Sequence, residues 1–349
     1  MNVKGWLALW LVVVAPMLVA APAVDVLGRP AMQSSQSLHA VLQGIVRAGD
    51  RLVAVGERGT VLLSDDNGAT WRQAVVPVSS SLVAVQFVDE KLGWAVGHAG
   101  VVLHTVDGGD SWTLQLDGRR AAALELSSVL ATGDESRLAA AKQGVVDGAD
   151  KPLLALSFSD AHNGLVVGAY GMVMHTTDGG ATWSSWAGRL PNPRGLHLYA
   201  IAQQGTHLYL AGEQGLFMRS QDGGEHFKAL STPYEGSYFS LAVQADGAVL
   251  VAGLRGKVFR SVDLGQSFHT VANPLPISIN DMRLLGNQLL LVNQAGGLLQ
   301  ASSDWSHVTP LALPPGPPLT AVTRAADGAL VGVSFAGPIR LASSMNAAE

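Results

Sequence analysis

Six aspartates recur at matching places along the chain: Asp66, Asp107, Asp178, Asp222, Asp263 and Asp304. Carboxylates serve as acid, base or nucleophile in glycoside hydrolysis, and they bind Ca²⁺ when several cluster. Each of these aspartates instead sits in a short turn that usually offers one carboxylate. Arg58, Arg219, Arg255 and Arg260 are candidates to grip a substrate carboxylate bidentately, and Tyr234-Glu235 is the nearest Tyr–Glu pair in the sequence. Adjacency on a loop is not the geometry of a nucleophile pair. The ten histidines are scattered, without a His-Glu-x-x-His or His-x-His spacing. A Gly-x-Ser-x-Gly elbow is absent, and the Gly-rich turns lack the Gly-Lys-Ser/Thr ending of a phosphate loop. With no cysteine in the chain, thiol catalysis, iron–sulfur clusters and Cys-based zinc sites are excluded. A net charge of −5 gives no basic excess for nucleic acid. The expectation is a protein without catalytic residues, metal or cofactor.

The aspartates belong to a repeat. An octapeptide runs over Ser64–Trp71, Thr105–Trp112, Thr176–Trp183, Ser220–Phe227 and Ser261–Phe268, with a shortened copy at Ser302–Trp305. Its aromatic positions are Trp71, Trp112, Trp183, Phe227 and Phe268. A Gly-x-x-Gly turn precedes each copy at constant distance, as at Gly56/Gly59, Gly97/Gly100, Gly168/Gly171, Gly212/Gly215 and Gly253/Gly256. Counting blurred copies, the second glycine falls at 59, 100, 171, 215, 256, 297 and 337. The period is about 41 residues, with one insertion of about 30, which is the spacing of a propeller blade. An all-β, seven-bladed β-propeller of four-stranded blades follows. The octapeptide is read as a folding device. Its Asp accepts hydrogen bonds from its own turn, its Gly supplies a positive φ, and its aromatic side chain packs between blades.

The last unit shows only three strands. The segment 24–36 is therefore expected to supply the outer strand of blade 7 and so remove an open edge. The insertion, residues 117–151, falls between blades 2 and 3 and reads as two helices: Arg119–Leu130, then Glu135–Lys142 with Asp134 as cap and Gly144 as stop. It either binds a partner or caps a blade edge. At the N-terminus, Lys4, an apolar run from Trp6 to Val19 and then Ala21-Pro22-Ala23 read as a signal peptide over 1–23. The mature domain, 24–349, is expected outside the cytoplasm.

The octapeptide resembles the BNR or Asp-box repeat of sialidases and many other propellers. The fuller unit, Gly-x-x-Gly-(x)4-Ser/Thr-x-Asp-Gly-Gly-x-Thr-Trp, resembles the photosystem II stability/assembly-factor family over nearly the whole mature chain. Gly168-Ala169-Tyr170-Gly171, Gly212-Glu213-Gln214-Gly215 and Gly253-Leu254-Arg255-Gly256 are similar to a bacterial branch of that family. That resemblance implies a non-catalytic, periplasmic binding propeller. Its protein partner would lie in the cell envelope, as an accessory to a transporter of the resistance-nodulation-division (MMPL) type. Partner-binding residues are expected on the Gly-x-x-Gly face: Arg58, His98, Arg119, Arg120, Tyr170, Glu213, Arg219, Arg255 and Arg260. Two other readings remain. A sialidase-like hydrolase would need an Arg-Ile-Pro motif that this chain lacks. A carbohydrate-binding propeller would use Trp94 or Trp186 as a platform.

Overall fold

The computed structural model describes residues 25–313 and 315–341. The signal peptide expected over 1–23 lies outside them. Among the described residues, no helix is long and apolar enough to cross a membrane.

Seven antiparallel sheets succeed one another along the chain, each with its strands in sequence order from inside to outside. The innermost strands are Leu42–Ala48, Leu82–Phe87, Leu153–Phe158, Leu198–Gln204, Tyr238–Val243, Ile279–Leu285 and Leu319–Arg324. Each packs beside the next, and the seventh packs beside the first, so the blades form a closed ring. The second strands are apolar on both faces; Leu52, Val53, Ala54 and Val55 of blade 1 are all fully buried. Such a sheet cannot shield itself and must be sandwiched. Seven apolar clusters result, one at each interface between neighbouring blades.

Six sheets have four strands; the seventh, Leu319–Arg324, Leu330–Ser334 and Gly337–Arg340, has three among the described residues. The segment 24–36 does not complete it, contrary to the sequence expectation. Its described part runs along residues 73–79 of blade 1. The Ala31 amide donates to Val76 O (3.0 Å) and the Ser79 amide to Val26 O (2.9 Å). The reason is burial: Ala31 joins the cluster between blades 1 and 2, with Val26 and Leu27 packed against it. A 3₁₀ turn, Ser35–His39, then carries the chain past the seventh blade to the first. The ring closes by packing and polar ties. Thr320 Oγ1 donates to Leu42 O (2.7 Å), the Asp327 amide donates to Asn67 Oδ1 (3.3 Å), and the Arg340 guanidinium donates to Asn67 O.

The insertion forms α1 (Gly118–Thr132) and α2 (Glu135–Asp147). Asp117 caps α1 by accepting from the Arg119 and Arg120 amides. Asp134 makes no side-chain cap, and α2 runs through Gly144 to stop at Gly148. Asp134 stands at the N-cap as read, but the stop moves from Gly144 to Gly148, because a glycine inside a helix costs only about 1 kcal/mol. Helix α1 packs on Ser184–Ser185, the outer strand of blade 3. Ala121 enters the cluster between blades 2 and 3, and Glu125 accepts from both Arg137 and Ser185. The helices therefore cap a blade edge.

Candidate functional site

The two ends of the ring are built differently. At one end the six Asp boxes join the third strand of a blade to the outer strand or segment. In the first, Asp66 accepts from Ser64 Oγ (2.8 Å), the Thr70 amide (2.8 Å) and Thr70 Oγ1 (2.6 Å), while Ser64 Oγ accepts from the Gly68 amide (2.8 Å). Asp107, Asp178 and Asp263 repeat the set with their own Ser or Thr partners. Asp222 uses His226 in place of the closing hydroxyl, and the shortened turn at Asp304 uses Ser302 and Ser306. Each of these carboxylates accepts hydrogen bonds from donors of its own turn. Among the described residues, no group of three or more His, Asp or Glu side chains is placed to hold a metal ion.

These bonds have a pH signature. The Thr70 hydroxyl, its amide and the Ser64 hydroxyl hold the Asp66 carboxyl at about 2, below its ordinary 3.8. Asp178, Asp263 and Asp304 are likewise lowered to about 2, chiefly by the hydroxyls of Thr182, Ser267 and Ser302 respectively. A carboxyl that is more acidic folded than unfolded stabilises the fold above its unfolded pKa. That contribution fades as pH falls towards the folded value. The melting temperature should therefore decline as pH falls from about 4 towards 2. A melt unchanged across that range would contradict the role given to these bonds.

The aromatic side chains behind the boxes pack between blades, Trp112, Trp183 and Phe227 buried and Trp71 and Phe268 partly so. Trp112 sits between blades 1 and 2, Trp183 between 2 and 3, and Phe227 between 3 and 4. Phe268 packs between blades 4 and 5 and Trp71 at the closing interface of blades 7 and 1. Trp94 is fully buried and stacked on Phe158 at 3.8 Å, and Trp186 is buried and stacked on His175 at 3.6 Å. Neither is a sugar platform. Burial, with Arg189 nearby, pushes the His175 imidazole down to about 4, so it is neutral there.

Arg219 and Arg260 do not reach the Gly-x-x-Gly face. Each lies one residue before the Ser of its Asp box, at the opposite end of the third strand. Arg219 is buried and donates to Leu264 O of the next blade's Asp box at 2.5 Å. A four-residue strand separates the two ends, so Arg219, four residues past Gly215, already stands at the Asp-box end.

The other end carries the Gly-x-x-Gly turns and the connections between blades. The first glycine of each regular turn is needed for close approach. A Cβ there would lie 2.0–2.2 Å from the carbonyl oxygen before the innermost strand: Val41 for Gly56, Ser81 for Gly97, His197 for Gly212. The last two residues of each turn have left-handed backbone, and the first of that pair is not glycine: Arg58 (φ 52°), Ala99 (φ 57°), Tyr170 (φ 55°), Gln214 (φ 53°) and Arg255 (φ 57°). Five non-glycine residues in this strained region on one face is a feature that spacing alone does not reveal. Arg58, His98, Tyr170, Leu254, Arg255 and Phe335 are exposed there. Tyr170 is 63% accessible and lies 4.8 Å from the His197 ring, with Lys151 Nζ 5.6 Å above it.

Other expected residues are held in place. Glu213 is half-buried and accepts from the His197 amide, as Glu57 does from Val41. Arg120 donates to Gln115 O at 2.6 Å, and Arg119 lies 3.8 Å from Asp25. The candidate surface therefore reduces to Arg58, His98, Arg119, Tyr170 and Arg255, to which Leu254 and Phe335 are added.

A family model described as "Photosynthesis system II assembly factor YCF48" matches residues 64–151 and 145–339. The chain is 38% identical over 77 residues to the photosystem II assembly lipoprotein Ycf48 of Synechococcus sp. (strain CC9902), a stretch covering 22% of this chain and 23% of that protein. Its fold is similar to that of YCF48 from Cyanidioschyzon merolae, with a TM-score of 0.65 at 13% identity, over 91% of this chain and 99% of the other. A structure of YCF48 bound to D1 peptide is also similar, with a TM-score of 0.63 at 15% identity, over 92% and 98% of the two chains.

Proposed function

Because the chain belongs to the photosynthesis system II assembly factor YCF48 family, we propose that it is a non-catalytic protein-binding propeller of the cell envelope. It holds a membrane-protein partner against its Gly-x-x-Gly end, as scaffold or assembly factor. The observation that carries this is the contrast between the two ends. One end folds its six Asp-box aspartates into their own turns. The other lifts Arg58, Tyr170, Gln214 and Arg255 out on left-handed backbone. Binding residues commonly stand on loops fixed by a rigid scaffold.

The D1 peptide in the solved relative supports a protein as partner. The lipoprotein nature of the cyanobacterial relative, together with the leader read over 1–23, supports a place outside the cytoplasm. For this chain we take the partner to be a transporter complex of the resistance-nodulation-division type, as its bacterial-branch motifs suggest.

The arrangement disfavours a sialidase. Arg219 is committed to Leu264 O, and Arg58 and Arg255 stand on blades 1 and 5. The Tyr234 hydroxyl donates to Leu254 O (3.3 Å), away from any nucleophile role. Photo-crosslinkers at Arg58 and Tyr170 should trap an envelope protein, and one at Val262, exposed at the Asp-box end, should not. Turnover of a fluorogenic sialoside by the purified chain would overturn the reading.

A further inference from the structure

All seven innermost strands share one irregularity. Each slips register at its second residue: Gln43, Val83, Leu154, Tyr199, Phe239, Asn280 and Thr320. The residue before the slip is buried in every case, whereas the bulged residue is half-buried or exposed. It pairs next to the Gly-x-x-Gly turn, as Leu42 does with Gly56, so the slip lies at that end of the ring. A bulge re-aims a side chain. Because the innermost strands surround the axis, these seven residues circle the mouth of the central channel.

The circle has two arcs. Blades 2 to 5 contribute Val83, Leu154, Tyr199 and Phe239; blades 6, 7 and 1 contribute Asn280, Thr320 and Gln43. None of the seven is charged. Tyr199 and Phe239 meet edge to face with ring centres 5.2 Å apart. The aromatic surface then continues outward, with His197 6.1 Å from Tyr199 and Tyr170 4.8 Å from His197.

We infer that this mouth seats one large uncharged side chain, aromatic or aliphatic, from an extended segment of the protein partner. The inference rests on the reading that a protein binds at this end. The ring itself carries no charge, and Glu213, whose carboxylate acts on Tyr199, already accepts from the His197 amide, so a charged side chain is disfavoured. An apolar one gains from burial against Val83, Leu154 and the two rings. The side-chain amides of Gln43 and Asn280 each donate and accept, which matches the needs of a peptide backbone crossing the opposite arc. The segment leaves the mouth over His197 and Tyr170.

Random nonapeptides displayed on phage and panned on the exported chain test this. Enriched peptides should share one large uncharged apolar residue. In fluorescence anisotropy, Tyr199→Ala combined with Phe239→Ala should weaken them by at least about tenfold, the loss of a hot spot. Gln43→Trp, which fills the mouth without removing a packed ring, should weaken them as much, with the melting temperature of the parent kept. Peptides with a charged consensus, or binding that survives both variants, would place the partner elsewhere on the face; this overturns the seat and leaves the binding function standing. Panning that enriches no sequence also overturns the seat, and crosslinking from Arg58 and Tyr170 then decides the function separately.

Discussion

Trp112→Ala should destabilise the propeller by about 3–5 kcal/mol, the range for truncating a large buried aromatic side chain. Trp112 is 4% exposed and lies in the apolar cluster that joins blade 1 to blade 2. Its ring meets Phe87 edge to face at 6.1 Å, and its Nε1 donates to Gly109 O at 2.9 Å. The alanine variant loses all three and leaves a cavity that two rigid sheets cannot collapse to fill. Trp71, half-buried at the closing interface, should cost less when replaced. Thermal or urea melts of the two variants measure the difference. An unchanged melt for Trp112→Ala would remove the inter-blade role of the Asp-box aromatic side chains.

Gly97→Ala should cost about 3 kcal/mol or more, at the top of the range for overpacking. The backbone at Gly97 is extended, so conformational strain is not the cause. The added Cβ would stand 2.0 Å from Ser81 O and 2.8 Å from the Leu82 Cα. Both are main-chain atoms of the adjoining strand and cannot rotate away. Relief would break the bond from the His98 amide to Ser81 O, now 2.8 Å. Gly144→Ala is the matched control: inside α2, its Cβ would meet only Ala122 Cβ at 3.9 Å. It should be neutral or stabilising, by up to about 1 kcal/mol from helix propensity. Equal melts for the two variants would contradict the close-approach explanation of the turn.

The blade count and the job of each Asp box were legible because one unit is copied with few changes, and each copy satisfies its own turn. The site of the insertion followed from the same arithmetic. The fate of 24–36 was not legible. An extended apolar segment can pair with any open backbone, and what decided it was where Ala31, Val26 and Leu27 could be buried. The direction of Arg219 was missed for a related reason, since a four-residue strand has two ends and periodicity does not say which one a side chain serves. Trp94 and Trp186 lie outside the motif, and only the assembled ring shows them stacked on Phe158 and His175. The circle of bulged residues is the clearest case. Gln43, Val83, Leu154, Tyr199, Phe239, Asn280 and Thr320 share no residue type, so a backbone irregularity common to all seven blades left no mark in the letters.

The division of labour between the ends of the ring is tested most directly by photo-crosslinking in intact envelopes, with one crosslinker at a time at Tyr170, Arg58 or Val262. The first two positions should yield the same membrane-protein adduct, and Val262 should yield none. An adduct formed from Val262 alone would place the partner at the Asp-box end and contradict the account.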